Sequence, residues 1–167
     1  MKAASVIVLL GIAGLIGWNA PDLGDSASRP AAAPASAAAD KAAWNAGQTV
    51  LQRQGDGHFY ADAAVGDAQV RFLVDTGASV VALTGEDARA AGLDWDETAL
   101  RPIGRGASGV VQGVPVTIER IELGGFEATD VEAAIIPDGL PVSLLGQSFL
   151  SRMSGAQIDG DEMRLGG

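Results

Sequence analysis

The residues best placed to do chemistry in this chain are Asp75-Thr76-Gly77. Three apolar residues, Phe72-Leu73-Val74, run straight into the acid, and two small ones, Ala78 and Ser79, follow. An isolated Asp-Thr-Gly reads as an ordinary turn after a strand, so its context decides what it means. A carboxylate in such a place can act as general acid or general base. Other reactive groups are scarce. There is no Cys, which excludes a disulfide scaffold, a Cys-based zinc site and a thiol nucleophile. His58 is the single His, which excludes a multi-His metal site and argues against a Ser/His hydrolase. The formal net charge of −10 argues against nucleic acid as a partner, because phosphate binding needs a basic face.

The elements that must position Asp75 read as mostly β. Gln48–Arg53 and His58–Val65 are short strand candidates separated by Gly55-Asp56-Gly57. Gly66-Asp67 then makes a hairpin with the strand Gln69–Val74, in which Val70, Phe72 and Val74 form an apolar face. After the Asp loop comes the apolar run Val80–Leu83. Thr84 is an N-cap with Asp87 at the third helical position, so a helix over about 85–91 is expected, ending at Gly92. A Gly-rich stretch, 101–113, precedes two strand-like runs, Val114–Leu123 and Phe126–Ile136, split by Gly124-Gly125. Leu144-Leu145-Gly146 leads into a short helix, Gln147–Met153. Gln157-Ile158 and Met163–Leu165 close the chain around Asp159-Gly160-Asp161. About eight short strands, two short helices and frequent turns indicate a small all-β, barrel-like fold.

The run FLVDTGAS, the later Leu144-Leu145-Gly146, and a short acidic helix ending in Ala91-Gly92-Leu93 together resemble the retropepsin-like (clan AA) aspartic proteases, especially a bacterial, membrane-anchored, single-lobe branch. The resemblance extends from about Gln48 to the carboxyl end. It implies a retropepsin-like acid protease barrel and hydrolysis of peptide bonds without a cofactor or metal. Asp75 is then the catalytic residue, and Thr76, Gly77, Ala78 and Ser79 support its loop. Thr76 would hydrogen-bond beneath the loop, and Gly77 would bring a backbone N–H to the carboxylate. Gly104, Gly106, Ala107, Ser108 and Gly109 would form the mobile tip of a flap covering the substrate, where the bland alternative is a surface loop. Leu144, Leu145 and Gly146 would pack beneath the Asp loop as structural residues. Pepsin-like enzymes commonly carry Ser at the position of Ala78, so an optimum less acidic than pepsin's is expected.

The chemistry needs two carboxylates sharing one proton. Like charges a few ångströms apart cannot both ionise, so one group takes a proton from water and the other donates to the carbonyl oxygen. The chain holds one Asp-Thr-Gly. Asp56-Gly57, Asp138-Gly139 and Asp159-Gly160 lack both the apolar approach and the intervening Thr or Ser. One lobe with one such Asp requires a second chain, and a two-fold homodimer brings the same residue to the axis from each subunit.

The rest of the chain reads as an appendage. Residues 3–18 are sixteen uncharged residues; with Asn19 and Ala20 they just reach the length of a spanning helix. Trp18 suits an interfacial anchor, and Trp18-Asn19-Ala20 is a poor cleavage site, so segment 1–20 reads as a transmembrane anchor, with a signal peptide cleaved further downstream as the rival. Lys2 before the span and Asp22 and Asp25 after it place the remainder outside the cytoplasm, at a single-pass inner-membrane location with a periplasmic domain. Residues 21–43 are rich in Ala, Pro and Ser and read as a flexible linker. They carry no net charge together with the anchor, so the whole −10 falls on the expected domain, 44–167.

His58 reads as a strand-edge side chain, Trp44 and Trp95 as packing residues, and Asp94, Asp96 and Glu97 as a solvated turn rather than a calcium loop. Two functions of different classes fit. One is a homodimeric, membrane-tethered aspartic endopeptidase acting on protein or peptide substrates. The other is a catalytically silent binding or scaffolding module on the same fold. The intact Asp-Thr-Gly favours the first, since a scaffold places no demand on the carboxylate.

Overall fold

Strands form here wherever apolar and β-branched residues run between glycine turns, and a computed structural model of the chain shows how those strands close on one another. It describes residues 7–8, 48–106 and 109–166. The elements are β1 (Ile7–Val8), β2 (Thr49–Gln52), β3 (Tyr60–Val65), β4 (Ala68–Val74), β5 (Val81–Thr84), α1 (Gly85–Ala90), a 3₁₀ turn (Glu97–Ala99), β6 (Arg101–Gly106), β7 (Gly109–Leu123), β8 (Phe126–Ile136), β9 (Ser143–Leu145), α2 (Gln147–Leu150), β10 (Ala156–Asp159) and β11 (Glu162–Leu165).

Six strands form a closed ring in the order β7-β3-β4-β9-β5-β8, with β8 pairing back onto β7. The hairpin β3–β4 turns at Gly66-Asp67, with Val65 opposite Ala68. The hairpin β7–β8 turns at Gly124-Gly125, whose φ values of 59° and 80° suit a type I′ turn that matches the twist of the strands. β9 enters the ring between β4 and β5. It runs parallel to β4, with Leu144 opposite Leu73, and antiparallel to β5, with Leu144 opposite Ala82. A second sheet, β10-β11-β2, joins the two ends of the domain.

The ring encloses the main apolar core, in which Phe72 and Phe149 are fully buried and Ile118 nearly so. β4 divides its side chains between two clusters. Val70 and Phe72 enter the main core, while Leu73 joins a smaller one with Ala78, Ala82, Ile136 and Leu144. The face of β4 opposite Val70 and Phe72 thus carries an apolar residue, Leu73, in the cluster that also holds Ala78 of the Asp loop. The helix start is as the capping pattern required: the Asp87 N–H donates to Thr84 Oγ1 at 3.0 Å, and α1 ends before Gly92, whose φ is 70°.

Most of the expected anchor and linker, and Trp44, lie outside the described residues. Ile7–Val8, within the segment expected to span as a helix, form a two-residue strand pairing parallel to Gly104-Arg105 of β6. Among the described residues no helix is long and apolar enough to cross a membrane.

Candidate active site

Asp75 stands where β4 leaves the ring. Its backbone N–H donates to the Leu145 carbonyl at 3.1 Å, which extends the parallel β4–β9 ladder by one residue and fixes the base of the loop. The chain then turns sharply, with the Ala78 N–H on the Asp75 carbonyl at 3.2 Å. The Gly77 N–H donates to Asp75 Oδ1 at 2.8 Å, and the carboxylate remains half-buried, reachable from solvent. A backbone donor on a carboxylate restricts its rotamer.

Thr76 differs from expectation. It is exposed rather than tucked beneath its own loop, and its carbonyl accepts from Gln147 Nε2 at 3.0 Å. A turn this tight aims alternate side chains to opposite sides, and here it is Ala78, at 1% exposure, that faces inward to the second cluster. Ser79 is half-buried, and its carbonyl accepts from the Ser148 N–H at 3.0 Å.

Beneath the loop lie Leu144 and Leu145, both buried, and Gly146. Gly146 is the N-cap of α2. The first N–H groups of a helix have no partner within it. In α2 those of Gln147 and Ser148 are taken by loop carbonyls, Gln147 N–H to Ala78 at 2.8 Å and Ser148 N–H to Ser79. Ser148 Oγ accepts from the Val81 N–H at 2.9 Å and donates to the Glu132 carbonyl at 2.7 Å, tying the loop's exit to β8. Gln147 and Ser148 were not singled out by sequence reasoning. The only signal was their place directly after Leu-Leu-Gly.

The Gly-rich stretch is a hairpin. β6 and β7 pair antiparallel from Arg101 opposite Gly113 to Gly106 opposite Gly109, with an irregularity between Pro102 and Gly104. Gly104 and Gly106 sit on the first strand and Gly109, at φ 118°, opens the second. Ala107 and Ser108 lie outside the described residues. Ile103 and Val111 of this hairpin pack against the second cluster, the one that also holds Ala78 and Leu144. The hairpin and the Asp loop thus share one apolar base. Beside it opens a cleft of about 540 Å³, lined by Val80, Arg101, Ile103, Pro115, Val116, Thr117, Glu132, Ala133 and Ala134. Asp75 is not among its lining residues.

Tyr60 also packs on this cluster, and its hydroxyl donates to Asp56 Oδ2 at 2.7 Å. The bond holds Asp56 below the usual carboxylate range, aided by the His58 N–H, and pushes the Tyr60 hydroxyl up. His58 is exposed and lies just before β3, with its carbonyl accepting from the Gln54 N–H at 2.7 Å. Trp95 packs against the main core with the Arg89 guanidinium 4.6 Å from its ring centroid. Asp96 caps the 3₁₀ turn by accepting from the Thr98 N–H. Among the described residues no group of acidic or His side chains could hold a metal ion.

The family described as "gag-polyprotein putative aspartyl protease" matches residues 61–152, more than half of the chain. The chain belongs to this family of retropepsin-like aspartic proteases. Its fold is similar to the crystal structure of a retropepsin-like aspartic protease from Rickettsia conorii, with 36% identity and a TM-score of 0.58 over 71% of this chain and 88% of that one. It is 36% identical over 115 residues to an uncharacterized protein of Rickettsia prowazekii (strain Madrid E), covering 69% of this chain and 49% of that one. It is 40% identical over 119 residues to an uncharacterized protein in the cobV 5' region of Sinorhizobium sp., covering 71% and 51%. The chain spans about half the length of these two curated relatives. The matched family region includes the Asp loop, the β6–β7 hairpin and Leu144-Leu145-Gly146, while Asp56, His58 and Tyr60 lie before it.

Proposed function

We propose that this retropepsin-like chain is an aspartic endopeptidase that acts as a homodimer. The observation that carries the reading is the Asp75 carboxylate, oriented by the Gly77 N–H and open to solvent at the end of a strand that β9 braces. Each subunit contributes one Asp75, and the pair shares a proton. The ionised member draws a proton from a water held between them, while the protonated member donates to the scissile carbonyl. The β6–β7 hairpin covers the substrate and excludes bulk water.

Two features support the dimer. Of the other Asp-Gly pairs, Asp56 is bonded to Tyr60, and Asp159-Gly160 leads from β10 into the β10–β11 turn. Thr76, the residue after Asp75, is exposed and so open to contact with a second chain. The uncharged run 3–18 supports attachment to the cytoplasmic membrane with the domain outside, and the pairing of Ile7–Val8 on β6 is the competing arrangement. Fractionation of cells with protease accessibility of the domain separates the two.

The test of the activity is cleavage of a peptide library by the wild type and by Asp75→Ala, with pepstatin as a control inhibitor. The expected result is cleavage by the wild type alone. Equal cleavage by both proteins removes Asp75 from the mechanism.

A further inference from the structure

The peptide group between Thr76 and Gly77 is bonded at both ends. Its N–H donates to Asp75 Oδ1 at 2.8 Å, and its carbonyl accepts from Gln147 Nε2 at 3.0 Å. A peptide group is planar, so fixing its oxygen fixes the direction of its hydrogen. Hydrogen bonds in a chain also polarise one another: a donor on the carbonyl makes the N–H at the other end a better donor. We infer that Gln147 is a positioning residue for Asp75, acting through the Thr76–Gly77 peptide.

The platform that carries Gln147 is rigid. Phe149 is fully buried and meets Phe126 edge-on at 5.6 Å, and Ser148 is bonded to both Val81 and Glu132. The loop carbonyls of Ala78 and Ser79 are held by backbone donors of α2, which any residue but proline would provide at 147 and 148. The Thr76 carbonyl is held by the amide side chain alone among the bonds described. Gln147 is itself exposed, so its side chain contributes little packing, and an exposed substitution of this kind ordinarily changes stability very little. An effect on the carboxylate is therefore separable from an effect on the fold.

The consequence for catalysis rests on the endopeptidase reading; the relay itself does not. The test uses the full chain, uniformly labelled with nitrogen-15, as wild type, Gln147→Met and Gln147→Lys. Met keeps the length and removes the donor; Lys keeps a donor. The Gly77 amide proton resonance should move upfield in Gln147→Met and return toward its wild-type position in Gln147→Lys, with the Ala78 and Ser79 amides nearly unmoved. With a cleavable peptide, kcat should fall about 3- to 10-fold in the Met variant with KM unchanged, and recover in the Lys variant. A Gly77 resonance identical in wild type and Gln147→Met overturns the relay, even in an active protease. A shifted Gly77 resonance in a chain that cleaves no peptide upholds the relay and counts against the endopeptidase reading.

Discussion

Gly146 and Val80 approach so closely that a β-carbon on Gly146 would lie 2.1 Å from the Val80 carbonyl oxygen. The Ala78 carbonyl oxygen would be 2.8 Å from the same atom. Both neighbours are backbone, so neither can swing aside. The third residue of Leu-Leu-Gly is thus fixed by the space between β9 and the loop that carries Asp75.

Gly146→Ala should therefore push the Asp loop off its support. Overpacking of this sort costs about 1–3 kcal/mol or more. Chemical denaturation of wild type and variant measures the loss, and peptide cleavage should disappear even where the variant is folded. A variant of wild-type stability and activity would show that the loop is not seated on Gly146.

Ser143 is fully buried at the head of β9. It accepts from the Thr84 N–H at 3.0 Å and donates to Asp87 Oδ2, joining the cap of α1 to the strand beneath the Asp75 loop. Ser143→Ala leaves the Thr84 N–H without this acceptor. The expected loss is about 1–3 kcal/mol by urea denaturation.

Asp56 and Tyr60 give a pH dependence with a definite sign. Asp56 is held below its ordinary value of 3.8, chiefly by the Tyr60 hydroxyl and then by the His58 N–H. A carboxyl depressed on folding stabilises the native state above its unfolded value, and that contribution fades as pH falls through the folded value. The Tyr60 hydroxyl is raised above 10.0 by the same bond, so its contribution is complete below pH 10.0 and is lost as pH rises through the folded value. In Tyr60→Phe, the Asp56 carboxyl followed by NMR should titrate closer to 3.8.

Gly109 opens β7 at φ 118°, a conformation that an L side chain adopts only with strain. Gly109→Ala should distort the closing end of the β6–β7 hairpin at a local cost of about 1–3 kcal/mol. KM for a peptide should rise, and the thermal midpoint should fall by no more than a few degrees per kcal/mol of that local cost. An unchanged KM would mean that this hairpin does not close over substrate.

Short-range signals carried much of the architecture. Gly66-Asp67 and Gly124-Gly125 each mark a hairpin, and Thr84 with Asp87 marks the start of α1, because turns and caps depend on neighbours within a few residues. The intercalation of β9 is different. Ser143–Leu145 is three buried residues with no alternation, and its partners, Leu73 and Ala82, lie some sixty to seventy residues earlier. β6 was hidden by its own composition, since Gly104, Gly106 and Pro102 argue against a strand until β7 pairs with them. Of the site, Asp75 was legible from its apolar approach. The direction of Thr76 was not, nor the reach of Gln147, because both depend on how α2 packs against a loop about seventy residues away.

The proposed sharing of a carboxylate pair is tested most directly by mixing wild-type chains with Asp75→Asn chains at fixed total concentration, under conditions where subunits exchange. If each active site needs Asp75 from both subunits, activity falls as the square of the wild-type fraction, to about a quarter at equal mixing. A linear fall, to about half, would mean that one chain holds a complete active site, and it would contradict the dimeric mechanism.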